Sequence, residues 1–120
     1  MCVALDVETT GLNRDTDHII ELAVQRFRFD EAGRIIQVAA AHVWREDPSV
    51  PLDPRITQLT GISGEDLVGK MTDEATAIEM LSSADIIVAH NAAFDRPFID
   101  KRLPAIAPSH GRVRSRSWIG

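Results

Sequence analysis

This sequence predicts an α/β fold built on a mixed sheet, and three observations carry the prediction. An apolar run, Cys2-Val3-Ala4-Leu5, opens the chain as a buried strand. Residues 19–29 and 34–44 read as two further strands across a short turn, which makes an antiparallel three-strand meander. Helical patterns then lead to a second apolar run, Ile86-Ile87-Val88-Ala89. A helical crossover of that kind lets the later strand lie parallel to the first.

The elements follow in order. The first strand covers residues 2–7. In the second, Ile20, Leu22 and Val24 supply apolar positions with polar residues between them, and Phe27 and Phe29 extend the pattern. Asp30-Glu31-Ala32-Gly33 is the turn, and the third strand runs unbroken over 34–44. Residues 48–54 form a proline-punctuated loop. Asp53 and Pro54 then suit the cap and first position of a short helix through Ile56 and Leu59, ending at Gly61. Residues 63–67 start another short turn of helix. Residues 72–83 fit an amphipathic helix capped by Thr72 or Asp73, with Ala75, Ile78, Met80 and Leu81 as core candidates. After the strand at 86–89, a last helix runs from Ala92 or Ala93 to Arg102, where Pro104 stops it. No internal repeat is visible.

Composition sets the outer bounds. The chain has 120 residues, 44% hydrophobic and 26% charged, as expected of one soluble domain. A formal net charge of −5 argues against a bulk electrostatic binder of nucleic acid. A single cysteine, Cys2, excludes an internal disulfide framework and fits a reducing cytoplasm. No apolar run approaches the length of a membrane span and no signal peptide is visible, so no membrane partner is expected.

Chemistry concentrates in two places. Asp6-Val7-Glu8-Thr9-Thr10-Gly11 puts two carboxylates at i and i+2, on one face of a strand. Carboxylates held side by side repel each other unless a cation sits with them, and hard divalent ions take such oxygens. The alternative is a solvated strand edge. Thr9, Thr10 and Gly11 weigh against it, because small residues let a ligand approach the backbone. The second place is His90-Asn91-Ala92-Ala93-Phe94-Asp95. Asp95 falls just inside a helix N-terminus, where it either complements the helix dipole or supplies a third carboxylate. Beside Asp6 and Glu8, the ligand reading is the better one.

Leu5-Asp6-Val7-Glu8-Thr9-Thr10-Gly11-Leu12 and residues 90–95 resemble the first two motifs of the DEDDh 3′–5′ exonucleases. That family includes the proofreading subunit of bacterial DNA polymerase III, ribonuclease T and oligoribonuclease. Ile19-Ile20-Glu21-Leu22-Ala23 and Ile56-Thr57-Gln58-Leu59-Thr60-Gly61-Ile62 resemble the family between them, so the likeness covers residues 3–103. It implies a ribonuclease H-like fold and hydrolysis of DNA or RNA from a free 3′ end. Asp6, Glu8 and Asp95 would be the catalytic carboxylates and would bind two Mg²⁺ or Mn²⁺ ions. Thr9, Thr10, Gly11, Leu12 and Phe94 would contact the terminal nucleotide. A polymerase or another replication or repair protein is the partner this family suggests.

The resemblance also implies a downstream histidine base with a fourth aspartate in His-x4-Asp spacing, and no such segment is found. His90 and Asp95 imitate the spacing but belong to the second motif. His110 has no acidic residue after it, the last being Asp100, and His18 and His42 fall in the meander. The expectation is therefore a partial exonuclease domain over 1–107, incomplete at its C-terminal side, with weak or no turnover. Residues 108–120 read as an irregular basic tail. Codons exist for that tail which, read two nucleotides later, spell a continuation containing Trp-Ala-Cys-Ser, as relatives have after the Leu-Pro segment. A shifted frame and a natural Arg/Ser-rich end are the two readings, and the genomic sequence past codon 108 separates them. Two other functions stand beside the enzyme. One is a non-catalytic nucleic-acid-binding or interaction module using Arg96, Lys101, Arg102, Arg112, Arg114 and Arg116, and the other is a non-functional remnant.

Overall fold

The computed structural model describes residues 1–106 and 117–120. Six strands and four helices occur among them: β1 (Cys2–Thr9), β2 (Ile19–Phe29), β3 (Ile35–Val38), β4 (His42–Arg45), α1 (Pro54–Thr60), α2 (Gly64–Leu67), α3 (Glu74–Ser82), β5 (Ile86–Ala89), α4 (Ala92–Arg102) and β6 (Ser117–Ile119). A 3₁₀ turn, Pro104–Ile106, follows α4. The sheet runs β3-β2-β1-β5-β6, and β4 also pairs with β2. β1 and β2 are antiparallel, whereas β1 and β5 are parallel with Leu5 opposite Ala89. The sheet is therefore mixed, with the helical crossover the sequence predicts.

β1 shows why the fold suits its site. Val3, Leu5 and Val7 are buried together with Met80 and Leu81 of α3 and Phe98 and Ile99 of α4, all in the main core. Between them, Asp6 is exposed and Glu8 half-buried. A period of two separates an apolar face from a carboxylate face.

Register shifts modify the expected meander at three places, one of them between Arg28 and Phe29 at the far end of β2. Between Phe27↔Val38 and Val24↔His42, β2 advances three residues while its partner advances four. The extra residue breaks the predicted single strand at 34–44 into β3 and β4. The three alanines at 39–41 have little side chain with which to hold an even ladder, and Gln25 Nε2 takes the Ala39 carbonyl at 2.9 Å. On the other flank, Glu8 faces Glu21 but Thr9 faces Ile19, so Ile20 is the extra residue. It turns into a second cluster with Ile62 and Leu67, against which Ile56 packs. A bulge beside a site re-aims side chains in this way.

α1 has the expected boundaries. The Asp53 carboxylate accepts from Arg55 N at 2.9 Å, and Gly61 closes the helix at φ 76° with its N–H on Thr57 O. α3 is capped by Asp73, whose carboxylate accepts from Thr76 N. Its buried face is Ala77, Met80 and Leu81, while Ile78 is partly buried against the core. Ala75 is exposed, contrary to expectation, because it lies about 200° around the helix from Ala77.

The proposed division at residue 107 and most of the basic tail, including His110, Arg112, Arg114 and Arg116, lie outside the described residues. At the far end, Ser117–Ile119 is extended where the sequence reading has no regular structure. It pairs parallel with β5, and Trp118 packs against the main core. Among the described residues, no helix is long and apolar enough to cross a membrane.

Candidate active site

The parallel ladder between β1 and β5 builds the site. It sets the end of β5, and hence the start of α4, beside the segment of β1 that carries Asp6 and Glu8. The carboxyl ends of parallel strands are where open α/β sheets hold ligands. Asp95 enters α4 with its N–H on the Asn91 carbonyl at 2.9 Å and is only 4% exposed. Its Oδ2 is buried and has no hydrogen-bond partner among the described residues. Burial, and after it the Asp6 charge, push the Asp95 carboxyl up to about 6; His90 opposes the shift and Glu8 adds to it. Glu8 is raised as well, by burial first and then by Asp6 and Glu21.

A buried carboxylate oxygen with no donor calls for an explanation, and an ion is a common one. Three carboxylates are a hard oxygen set of the kind Mg²⁺ and Mn²⁺ take, so the residues present fit such ions. Among the described residues, however, no three Asp, Glu, His or Cys side chains stand close enough to hold one ion as they are placed. Asp6, Glu8 and Asp95 share one electrostatic field without converging on one point.

Glu21 is a fourth carboxylate that sequence reasoning did not single out as a side chain. It sits directly opposite Glu8 and is held by Arg45 Nε at 3.1 Å. The signal was present, since an antiparallel pair joined near residue 14 brings positions 8 and 21 face to face. Recognising it needs the register.

A cavity of about 480 Å³ opens beside Glu8. One wall is the strip Thr9, Thr10, Gly11 and Leu12; the other is Ile56, Leu59 and Thr60 of α1, with Phe94 between. Leu12 and Leu59 are 87% and 82% exposed, so two large apolar side chains face this space rather than the core. Phe94 is steadied by the buried Phe98, their ring centroids 5.0 Å apart. Arg55 is the one cation among the lining residues, and Asp53 holds its Nη2 at 3.0 Å. Asp6 faces a neighbouring hollow of about 190 Å³ with Ala4, Ala23 and Gln25.

The two threonine hydroxyls of the strip are already engaged. Thr9 Oγ1 donates to Gly11 O at 2.6 Å and Thr10 Oγ1 to Asp17 Oδ1 at 3.0 Å. Of the six cations offered by the alternative reading, the three among the described residues are engaged too. Arg96 pairs with Asp100 at 3.7 Å, and Arg102 donates to Glu46 and Glu74 at 2.7 Å each. Lys101 donates to the Arg14 and Asp15 carbonyls. His18, His42 and His90 are exposed.

Comparison with known proteins agrees with this architecture. A family model described as an exonuclease, that of RNase T, matches residues 3–110. Ribonuclease T of Shewanella denitrificans is 30% identical over 114 residues, which cover 84% of this chain and 50% of that protein. The PolC-type DNA polymerase III of Bacillus subtilis is 39% identical over 101 residues, covering 82% of this chain and 6% of the polymerase. Among solved structures, the zinc-bound E. coli exonuclease I–ssDNA complex has a TM-score of 0.70 at 20% identity, over 98% of this chain and 27% of that one. Exonuclease X bound to 5′-overhanging duplex DNA has a TM-score of 0.59 at 23% identity, over 82% and 53%. These likenesses show the shared fold, the ribonuclease H-like mixed sheet of exonucleases. The chain spans about half the length of the ribonuclease T relatives it matches. With nearly the whole described chain inside the family match, this protein belongs to the exonuclease family that takes its name from ribonuclease T.

Proposed function

We propose that this chain carries the metal-binding half of a 3′–5′ exonuclease site acting on DNA or RNA, with Asp6, Glu8 and Asp95 holding two Mg²⁺ or Mn²⁺ ions. The observation that carries the reading is Asp95: a buried carboxylate oxygen without a donor, in the field of two more carboxylates, at the start of α4. The zinc ion in the exonuclease I–ssDNA complex supports a metal in a neighbour of this fold.

The chain's own residues divide the work. The cavity is of a size that suits a small ligand such as one nucleotide. Leu12, Leu59 and Phe94 offer flat or apolar surface to a base, which tolerates any sequence. The strip's hydroxyls are internally satisfied, so Thr9 and Thr10 shape the wall, and Gly11 leaves room for the Asp17 carboxyl beside the strip. Glu8 at the rim would lie near the phosphate joining that nucleotide to its strand, with Asp6 and Asp95 in the same electrostatic field. Bound divalent ions would polarise that phosphate and the attacking water. Water adds to phosphorus, the bond to the 3′ oxygen breaks, and a nucleoside 5′-monophosphate leaves a strand shortened by one. With no His-x4-Asp segment after Asp95 in these 120 residues, we expect slow turnover from them. The PolC-type relative supports a polymerase as the working context.

The test uses 5′-labelled single strands of DNA and RNA with Mn²⁺. Slow shortening from the 3′ end, lost in Asp6→Ala, is expected. Internal cutting, or shortening that persists in chelator, would overturn the reading. Metal-independent, salt-sensitive binding without cleavage would favour a binding module.

A further inference from the structure

The connection from β1 to β2 is held by two charged side chains with no part in the carboxylate site. Asp17 sits inside the turn. Its carboxylate accepts from Thr10 Oγ1 at 3.0 Å and from Asn13 N at 2.9 Å. The same hydroxyl of Thr10 accepts from His18 N at 2.9 Å, and Thr10 N donates to His18 O at 2.8 Å. Gly11 passes so close that a Cβ there would fall on the Asp17 carboxyl group. From outside, Lys101 in the last turn of α4 turns its ammonium onto the backbone of this turn. It donates to Arg14 O at 3.1 Å and to Asp15 O at 2.9 Å, with a weaker reach to Asp17 O at 3.5 Å. An ammonium has three donors, and a cluster of carbonyls can take all of them.

The two contacts link the parts of the site that must keep a fixed spacing. Asp17 sets the strip Thr10–Leu12, which walls the cavity. Lys101 fastens the turn behind that strip to α4, the helix whose first turn carries Asp95. We propose that Asp17 and Lys101 are positioning residues: together they hold the nucleotide-contacting strip at a set distance from Asp95 while touching neither metal nor nucleotide. The role in turnover rests on the exonuclease reading above; the clamp itself does not. Sub-ångström placement is what such groups contribute, and misplacement of about 1 Å can cost about a hundredfold in rate.

The experiment has two arms, on the full chain. In the first, amide hydrogen exchange is followed without metal or nucleotide for the wild type, Lys101→Met, Lys101→Arg and Asp17→Asn. Exchange at Thr10 and Asn13 is expected to rise about tenfold in Lys101→Met and Asp17→Asn, with the β1–β2 ladder unchanged. Lys101→Arg, which keeps the cationic donors, should restore protection. Unchanged exchange in Lys101→Met overturns the proposal. In the second arm, Mn²⁺ and then a nucleoside 5′-monophosphate are titrated in. Lys101→Met should leave Mn²⁺ affinity alone and weaken the nucleotide about tenfold. Equal nucleotide affinity in wild type and Lys101→Met overturns the positioning role, and so does a parallel loss of Mn²⁺ binding, which marks general damage. A wild type that binds neither Mn²⁺ nor nucleotide overturns the exonuclease reading instead, and the first arm still decides the clamp.

Discussion

The carboxyl of Asp95, on α4, is buried within the field of Asp6, on β1, and its affinity for a proton is raised to about 6 as a result. The two residues are distant in sequence and become neighbours because β5 lies parallel to β1. An acid raised in the folded state favours folding fully only below its ordinary value of 3.8, and that contribution is lost as the pH rises through about 6. In chelator at pH 8, Asp95 therefore weakens the fold. Asp95→Asn should raise unfolding stability there by roughly 1–3 kcal/mol and change little at pH 4. Denaturant titrations at both pH values check this, and an equal difference at the two would refute it.

Metal should reverse that penalty. Ions that bind only the folded chain stabilise it by mass action, about 2.7 kcal/mol at a hundred times the dissociation constant. Mn²⁺ is expected to raise the melting temperature of the wild type, with a smaller rise in Asp6→Asn and in Glu8→Gln. Thermal melts over a Mn²⁺ series measure it. A rise of the same size in Asp6→Asn would remove that residue from the site.

Gly11 answers to Asp17. A Cβ at position 11 would lie 2.8 Å from Asp17 Cγ, a separation that forces the carboxyl to move. Gly11→Ala should cost about 1–3 kcal/mol, the usual range for overpacking. In an Asp17→Ala background the same change should cost clearly less. A double-mutant cycle on unfolding free energies shows the coupling, and strict additivity would deny it.

Arg102 joins α4 to the segment after β4 and to α3. It pairs with Glu46 and Glu74 at 2.7 Å, and the Glu46 side chain is 16% exposed. Burial pushes the Glu46 carboxyl up, but hydrogen bonds from Arg102 and Thr72 outweigh it and leave the group below its ordinary 4.5. A lowered carboxyl stabilises the fold above that ordinary value, and the contribution fades as pH falls through the lowered one. Arg102→Ala should therefore cost about 2–4 kcal/mol at pH 7, because it strands a largely buried carboxylate. The difference from wild type should shrink toward pH 3. Paired denaturation curves from pH 7 to pH 3 supply the measurement.

Much of this protein was legible from local rules. Asp53, Pro54 and Gly61 bound α1 because capping and a left-handed closing residue act within one turn. The burial of Val3, Leu5 and Val7 against the exposure of Asp6 follows from the strand period. Other features escaped. Ala75 fell on the wrong side of α3, since a polar-flanked alanine gives a weak helical signal. The stretch 34–44 was read as one strand because a bulge among three alanines leaves no mark in the hydrophobic pattern. Thr9 and Thr10 line the cavity, and only the folded turn shows that their hydroxyls donate to Gly11 O and Asp17.

The sequence by itself determined that Asp6 and Glu8 share a face, because adjacent-but-one residues of a strand must. It also determined that Asp95 opens a helix after an apolar strand. Only the tertiary structure decided that Asp95 comes into the electrostatic field of Asp6 and Glu8, that Glu21 stands across from Glu8, and that Lys101 ties α4 to the turn behind Gly11. Side-chain period and capping are local. Strand order, register and the reach of a lysine to distant carbonyls depend on how the whole chain closes upon itself.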